Sequence, residues 1–378
     1  MDKGGSLVSK TAIVYGAGQT GRGYAARYLQ ESGYQIIFIE KNDQLVQRLN
    51  EDKHYEIHFY HKDRTPIIIN DFRVYNLEEG LRTFLLEADL IITSVGEENL
   101  HEVATSLAKH LSEDEVPQLL TCENGINPAR VLKQTLQKNM NTGKDFATSQ
   151  TAVFCSTVDI NSTRLDILSQ NETYFPYDSD GFNGTLDFAG AVPITNFENF
   201  LKRKIYTYNC LAGLISYLGY VKGYRIYSEA ANDPEISKIM NRLLDDLNPA
   251  LADYFDISLE EQQGFSQRAL VKFKDELILD YVIKNGRAAR RKLGTTERIY
   301  APYKILKERG YNTEIMTLVA GAALTYLEMI EYEGEDYMPA KELSKILNLD
   351  DQDEFVRQAV DYYYQIKNKE QLQLLDLL

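Results

Sequence analysis

The sequence predicts a doubly wound α/β sheet of the Rossmann type in its first half and a mostly α-helical C-terminal domain. The chain has 378 residues, more than one hydrophobic core usually supports. Short apolar runs alternate with helical patterns to about residue 160, as in a parallel sheet covered by helices. From residue 195 onward the hydrophobic period is helical. We therefore predict two domains, residues 1–194 and residues 195–378.

The first element is the apolar, β-rich run Thr11–Tyr15. It leads directly into a Gly-x-Gly-x-x-Gly pattern made by Gly16, Gly18 and Gly21, and a helical pattern follows. Glycines at this spacing allow a tight turn and let the backbone approach a pyrophosphate at a helix N-terminus. Strand, glycine loop and helix together predict a dinucleotide-binding site with these three glycines at the cofactor.

A second β-rich run, residues 34–39, ends in Glu40, about 20 residues past the last glycine. A carboxylate at this distance can bind the hydroxyl groups of the adenosine ribose. It would also repel a 2′-phosphate, so Glu40 favours NAD over NADP. Lys41, the next residue, is basic and leaves NADP as the alternative.

The remaining strands of the first half are expected at residues 55–76, 88–95, 119–122 and 150–154. The first of these stretches predicts a hairpin or two strands, with a turn at 63–66. Val95 and Gly96 lie where a strand ends, the edge at which such sheets bind ligands. Asn124 lies at another strand end, and it either contacts a ligand or makes a turn, because Asn before Gly favours turns.

In the second half, the helical stretch from Lys204 to Ala212 combines a lysine with an amide. At about 100° per residue in an α-helix, Lys204 and Asn209 fall within one side, with Ala212 between them. A lysine can exchange a proton with a substrate oxygen, and an amide can donate to that oxygen as it gains charge. The alternative is a solvated helix face.

One basic cluster occurs in the second half of this acidic chain. It comprises Arg287, Arg290, Arg291, Lys292 and Arg298. Arginine binds phosphate and carboxylate groups through two parallel hydrogen bonds, so the cluster could hold an anion. The alternative is a solvated helix end whose cations favour the helix dipole.

Composition narrows the class of protein. The net charge of −15 argues against nucleic acid or an anionic membrane as a partner. The three cysteines are widely spaced, and none of the five histidines lies beyond residue 110. We therefore expect no disulfide framework, no metal and no membrane-spanning segment. These features suit a cytoplasmic protein with a small-molecule partner, as a monomer or small homo-oligomer.

Taken together, the motifs resemble those of the mannitol-1-phosphate 5-dehydrogenases, a group within the polyol-specific long-chain (mannitol) dehydrogenase family. The shared stretches, which occur in the same order, are residues 16–23, 88–96, 122–124, 156–159, 203–209, 229–230 and 291–293. The resemblance implies metal-independent hydride transfer between NAD and a polyol carbon. It implies Lys204 as the general acid/base, with Asn124 and Asn209 holding the reacting oxygen.

The resemblance predicts an NAD-dependent oxidoreductase that interconverts a hexitol phosphate and a ketose phosphate, of the mannitol 1-phosphate and fructose 6-phosphate type. Asp159 belongs to a shared motif and is expected at the substrate, with Arg291 and Lys292 as candidates for its phosphate. Ala212 stands where the family has a histidine, and Ile160 where it has an arginine. Two alternatives therefore remain, a dehydrogenase for another polyol, uronate or hydroxy acid, and a non-catalytic NAD(H)-binding protein.

Overall fold

The computed structural model describes residues 10–62, 64–123, 125, 127–161, 164–334, 336–369 and 372–378. The chain divides into two compact units, Met1–Leu201 and Lys202–Leu378. The first is an α/β unit and the second is helical, as the sequence predicts. The domain bounds inferred from the sequence, 1–194 and 195–378, remain a prediction.

The strands lie in the first unit. In chain order they are β1 (Thr11–Tyr15), β2 (Gln35–Glu40), β3 (Tyr55–Phe59), β4 (Ile67–Ile69), β5 (Phe72–Asn76), β6 (Leu90–Thr93), β7 (Gln118–Thr121), β8 (Thr148–Gln150), β9 (Thr157–Asp159), β10 (Ile167–Ser169), β11 (Phe175–Asp178) and β12 (Ala191–Ile194).

Helices connect the strands of the first unit and build the second. They are α1 (Ala26–Glu31), α2 (Asp43–Asp52), α3 (Arg82–Leu86), α4 (Leu100–His110), α5 (Pro128–Met140), α6 (Phe197–Lys204), α7 (Cys210–Val221), α8 (Tyr227–Asn232), α9 (Pro234–Phe255), α10 (Leu259–Lys274), α11 (Val282–Gly286), α12 (Ala289–Lys292), α13 (Tyr300–Glu308), α14 (Glu314–Tyr326), α15 (Pro339–Leu347) and α16 (Glu354–Asn368). Single π-helical turns occur at Gly21–Ala25, Ile205–Asn209 and Leu327–Glu331.

The main sheet has the strand order β5-β2-β1-β6-β7-β8, and its neighbouring strands pair in parallel. Its central strands read as continuous apolar runs because helices or other strands cover both faces. Ile13 and Ile91 pack against α4 and α5 on one face. Val14 and Phe38 pack on the other face with α1, α2 and the second sheet. This arrangement confirms the predicted doubly wound sheet.

The predicted hairpin is correct for β3 and β4, which pair antiparallel. The same stretch also contains β5, which pairs in parallel with β2 in the main sheet. β3 continues into a second sheet of order β4-β3-β10-β9. Alternation of apolar and polar residues predicts a strand but not its partner. The sequence therefore could not show that this stretch contributes strands to two different sheets. Residue 63, in the predicted turn, lies outside the described residues.

A second correction concerns the stretch predicted as one strand at 150–154. β8 ends at Gln150, and the later stretch Thr157–Asp159 forms β9 of the second sheet. This sheet packs closely on the turn that precedes α1. A Cβ built on Gly23 would lie 2.5 Å from Cγ2 of Ile167 and 3.0 Å from Cγ2 of Thr157. Gly23 therefore permits β9 and β10 to approach the turn that precedes α1.

The second unit is stabilised by close helix packing. α14 is buried along its length and packs against α16. A Cβ built on Gly321 would lie 2.8 Å from the carbonyl oxygen of Ala359, so this contact requires glycine. Asp233 caps α9 by accepting from the backbone N–H groups of Glu235 and Ile236. Across the described residues, no helix combines the length and apolar character needed to cross a membrane.

Candidate active site

The glycine loop after β1 is shaped by two glycines and left open by the third. Gly16 has φ +90°, and a Cβ built there would lie 2.2 Å from the carbonyl oxygen of Ser94. A Cβ on Gly21 would lie 2.0 Å from the carbonyl oxygen of Gly16. At Gly18 a Cβ would meet no atom within 4 Å. Gly16 and Gly21 thus allow the loop to close, while Gly18 borders open space that a cofactor could fill.

Asp159, predicted at the substrate, is bound to the glycine loop. Its Oδ1 accepts from Nη2 of Arg22 at 2.7 Å, and its Oδ2 accepts from Nε2 of Gln19 at 2.7 Å. Arg22 is 4% exposed and also donates from Nε to the carbonyl oxygen of Ala17. Asp159 therefore connects β9 to the cofactor loop. Its role toward a substrate stays a prediction.

A cavity of about 190 Å³ lies beside the glycine loop. Its walls come from the carboxyl ends of β1 and β2, the loop after β6 and the start of α4. They are formed by Tyr15, Gly16, Gly18, Ile39, Glu40, Lys41, Leu77, Ser94, Val95, Asn99, Glu102 and Val103. A mainly apolar cavity with a carboxylate at its edge fits an adenosine and its ribose hydroxyl groups.

The carboxylate of Glu40 is held in place at this cavity. It accepts from the backbone N–H groups of Ala17 at 2.8 Å, and of Lys41 and Asn42 at 2.9 Å each. The ammonium group of Lys41 pairs with Glu102, at 3.1 Å. This pairing partly neutralises the cation that could have attracted a 2′-phosphate. Glu40 therefore determines the charge at the ribose position, and that favours NAD.

Glu123 is a functional candidate that the sequence reasoning missed. It is 7% exposed, and its Oε1 accepts from Oγ1 of Thr93 and from the N–H of Val95, each at 2.9 Å. Its Oε2 accepts from the N–H of Gly96, also at 2.9 Å. The pKa of Glu123 is raised, mainly because the carboxyl group is buried. The residue fixes the loop of Val95 and Gly96 at the cavity. Asn124, which follows it, lies outside the described residues.

Replacing Glu123 with glutamine should loosen this loop. The amide group of glutamine would face a backbone N–H, so one donor would lose its acceptor, at a cost of about 1–3 kcal/mol. We expect weaker NADH binding in a fluorescence titration and a lower free energy of unfolding in urea. Glu98→Gln removes the same charge from the segment that follows Val95 and Gly96 and is the control. Equal losses in both variants would assign the effect to charge rather than to the hydrogen bonds of Glu123.

In the second unit, the prediction of a continuous α-helix from Lys204 to Ala212 is wrong. α6 ends at Lys204, Ile205–Asn209 form a π-helical turn, and the N–H of Cys210 donates to the carbonyl oxygen of Ile205, five residues earlier. In an α-helix, residues five apart would point about 140° from each other. A turn that closes over five residues brings Lys204 and Asn209 closer to the same side. The π-turn therefore directs the lysine and the amide more nearly to one side of the helix than an α-helix would.

α10 holds this π-turn through a buried side chain. Gln262 is fully buried, donates from Nε2 to Oγ1 of Thr207 at 3.0 Å, and accepts from Nε of Arg203 at 2.8 Å. Arg203 also forms an ion pair with Glu261 and stacks 4.5 Å from the ring centre of Phe265. The residue before Lys204 is thus bound to α10, and its charge is paired.

The structure brings part of the basic cluster together and separates one member. Arg290 pairs with Glu342 of α15, with Nη1 and Oε1 2.5 Å apart. Arg291 and Arg298 share one carboxylate, that of Glu297. The two cations Arg291 and Arg298 thus have one paired carboxylate between them, which leaves excess positive charge here. Arg290 instead belongs to a contact between α12 and α15.

Lys292 lies inside this cluster. It is 7% exposed, and its ammonium group donates to the carbonyl oxygen of Asn285 at 2.5 Å. Burial and the neighbouring Arg298 and Arg291 lower the pKa of Lys292 to about 7. An amine in these surroundings gains charge when a negative group approaches, so this position suits an anion.

The basic cluster also reaches the helix that follows the π-turn. A Cβ built on Gly213 would lie 3.3 Å from Cδ of Arg298. Gly213 is four residues beyond Asn209, which is one turn along the same side of the helix. Arg298 therefore lies about one helical turn from Asn209.

Two family models match this chain. The Mannitol dehydrogenase Rossmann domain matches residues 10–175, and the Mannitol dehydrogenase C-terminal domain matches residues 196–373. The chain belongs to the mannitol dehydrogenase family. The resemblance inferred from the motifs is thereby confirmed.

Several relatives of this mannitol dehydrogenase family chain carry one name. Mannitol-1-phosphate 5-dehydrogenase of Thermoanaerobacter pseudethanolicus is 26% identical, over 94% of this chain and 98% of the relative. The protein of that name from Bacillus subtilis is 28% identical, over 79% and 83%. Among solved structures, Pseudomonas fluorescens mannitol 2-dehydrogenase in complex with NAD and D-mannitol has a TM-score of 0.72 at 14% identity, over 95% and 92%. A D-sorbitol dehydrogenase has a TM-score of 0.76 at 11% identity, over 95% and 93%. These structures share the fold.

Ala212 is one of the two positions at which the sequence departs from the motifs of the resemblance. Ala212 lies on α7, between Asn209 and the contact of Gly213 with Arg298. The hydroxyl group of Tyr227 donates to the carbonyl oxygen of Ala212 at 3.5 Å. Where the resemblance implies an imidazole, this mannitol dehydrogenase family member has a methyl group. No group of three or more metal-ligating side chains occurs among the described residues.

Proposed function

We propose that this chain is an NAD-dependent oxidoreductase that interconverts mannitol 1-phosphate and fructose 6-phosphate. The observation that carries the proposal is the close approach of the Arg298 side chain to Gly213, one helical turn from Asn209. It joins a lysine and an amide, suited to a carbonyl or carbinol, to a basic cluster suited to a phosphate. The names of the relatives support the same substrates.

The residues of the first unit fit NAD. The pyrophosphate would lie at the loop of Gly16, Gly18 and Gly21, where Gly18 leaves space. Glu40 would accept hydrogen bonds from the ribose hydroxyl groups, and the adjoining cavity would take the adenine. Bound there, NAD would supply the acceptor for a hydride from the carbinol carbon, and NADH would supply the hydride for the carbonyl carbon.

The polar residues act on the reacting oxygen and on the phosphate. Lys204 gives a proton to this oxygen in reduction and takes it back in oxidation. Asn209 donates a hydrogen bond to the oxygen as it gains negative charge. The resemblance assigns the same role to Asn124. Lys292 and Arg298 bind the phosphate, and Arg291 adds positive charge at the exposed edge of the cluster.

The experiment that tests this proposal follows NADH oxidation with fructose 6-phosphate beside fructose. Turnover with the phosphate ester and not with fructose supports both the reaction and the phosphate site. Equal turnover with both sugars contradicts the phosphate site. Absence of turnover with either, in a protein that binds NADH, contradicts the proposed substrate pair.

Ala212 favours a second candidate, a dehydrogenase for another polyol, a uronate or a hydroxy acid. Without the imidazole that the resemblance implies, the site lacks a hydrogen-bond donor and has more volume at this position. The guanidinium of Arg298, whose side chain approaches Gly213, could bind a substrate carboxylate. A panel of ketoses, uronates and 2-oxo acids with NADH would distinguish this candidate. The third candidate, a non-catalytic NAD(H)-binding protein, predicts NADH binding with no turnover on the panel.

Replacing Ala212 with histidine tests the same question from within the chain. If fructose 6-phosphate is the substrate, the added imidazole donor should raise kcat/KM. The gain corresponds to at most the roughly 1.5–3 kcal/mol of a hydrogen bond to a charged group. Steady-state kinetics on both proteins would measure this. Ala212→Leu fills the space without a donor and is the control. Loss of activity in both variants would mean that the space beside Ala212 holds part of a different substrate.

A further inference from the structure

Lys292 is the buried cation that the proposed mechanism uses only as a phosphate ligand. Its ammonium group contacts the carbonyl oxygen of Asn285 at 2.5 Å. In the part of the chain that the structure describes, no carboxylate forms an ion pair with it. A buried charge without such a pair costs free energy, and a lysine relieves this cost by releasing its proton.

The charges that face Lys292 come from several segments. On its own helix, Arg291 lies close enough to lower its pKa, while Arg290 is paired with Glu342. Arg287 before the helix and Arg298 after it act in the same direction.

Two carboxylates lie close to this helix. Glu297 acts against the three arginines and raises the pKa of Lys292, but it already pairs with Arg291 and Arg298. Glu331, from the π-turn after α14, accepts the N–H of Ala289 with both oxygens. Burial and the nearby arginines outweigh the effect of Glu297 and lower the pKa of Lys292 to about 7.

We propose that an anionic group enters this cluster together with one proton, and that Lys292 takes up that proton from solvent. The inference rests on the proposed function, in which the anionic group is the phosphate of the substrate. The neutral amine becomes an ammonium group, and the bound anion then pairs with it. Binding and protonation are thermodynamically linked, because each favours the other.

The pH dependence follows from this linkage. Below the pKa of about 7, Lys292 is already charged, and anion affinity is at its maximum. Above it, binding must include proton uptake, so affinity falls by up to about tenfold per pH unit. The decline ends where the raised pKa of the complex is reached. A phosphate bound by arginines alone would show no such decline.

The test uses sulfate as the probe, because its charge does not change over the range from about pH 6 to 9, whereas phosphate monoesters titrate near 6. Titration calorimetry of the whole protein at about pH 8, in two buffers that differ in ionisation enthalpy, measures the protons taken up per sulfate bound. We expect an uptake approaching one proton and an affinity that falls with pH. Zero uptake, or a flat affinity, would overturn the proposal.

Two variants on the same helix locate the effect. Arg291→Gln removes an exposed cation that lowers the pKa of Lys292, so the decline in sulfate affinity should move to higher pH. Arg290→Gln removes the same charge one residue earlier, from the pair with Glu342, and should leave the position of the decline unchanged. A shift of the same size in both variants would contradict a specific effect on Lys292.

Removing the amine gives a second check. Lys292→Met keeps the length of the side chain in its buried position, and it should weaken sulfate binding and abolish proton uptake. Undiminished uptake in this variant would assign the proton to another group and overturn the proposal. Sulfate binding with proton uptake in a protein that fails to reduce fructose 6-phosphate would leave the inference standing and reject the proposed substrate instead.

Discussion

Lys204→Ala is expected to abolish turnover while NADH binding stays intact. The variant loses the group that exchanges a proton with the reacting oxygen, and general acid–base catalysis contributes about 10²–10⁴-fold to a rate. The residues proposed to bind NADH belong to the first unit, so the dissociation constant of NADH should not change. Steady-state kinetics with the carbonyl substrate, beside a fluorescence titration with NADH, would measure both quantities.

Lys202→Ala is the matched control, because it removes the same charge from the same helix two residues earlier. We expect this variant to retain turnover. If Lys204→Ala lost NADH binding and turnover together, its assignment as the acid/base would be wrong. If both variants lost turnover alike, the positive charge of α6 rather than the position of Lys204 would account for the effect.

Gly21→Ala is expected to destabilise the first unit strongly. Its methyl group would lie 2.0 Å from the carbonyl oxygen of Gly16, and that oxygen belongs to the backbone and has no rotamer to change. Overpacking of this kind costs about 1–3 kcal/mol or more. The free energy of unfolding in urea should fall by that amount, and NADH binding should be lost because the loop must open.

Gly18→Ala separates cofactor contact from folding. A Cβ at this position meets no protein atom within 4 Å, so we expect the stability of the wild-type chain. NADH binding should still weaken, since the methyl group would occupy space assigned to the pyrophosphate. Unchanged NADH affinity in Gly18→Ala would show that the cofactor does not approach the loop here. Unchanged stability in Gly21→Ala would contradict the geometry of the loop.

Local patterns were sufficient to predict the strand, the glycine loop and the parallel sheet of the first unit. Gly16 and Gly21 have steric roles that only glycine can satisfy, Gly18 leaves open space beside them, and Glu40 follows at the distance that one βαβ unit requires. The parallel sheet followed from apolar runs that alternate with helices. These features depend on neighbours in the sequence, and the sequence therefore shows them.

Contacts between distant residues could not be predicted in the same way. Glu123 accepts from Val95, 28 residues earlier, and Asp159 accepts from Arg22, 137 residues earlier. Nothing in either local pattern names the partner. The π-turn at Ile205–Asn209 was missed for a different reason. Its residues fit an α-helix equally well, and the extra residue of the turn depends on contacts such as that of Gln262 with Thr207.

The hydrogen bonds of Glu40 have a consequence for the thermodynamics of cofactor binding. Backbone N–H groups of Ala17, Lys41 and Asn42 fix the carboxylate without any ligand. The rotamer of the Glu40 side chain is therefore already fixed in the folded protein. A ribose that binds there does not have to immobilise this side chain. Ordering a flexible side chain upon binding costs about 0.5–1.5 kcal/mol. Preorganisation removes this entropic penalty from the binding step and assigns it to the stability of the folded protein.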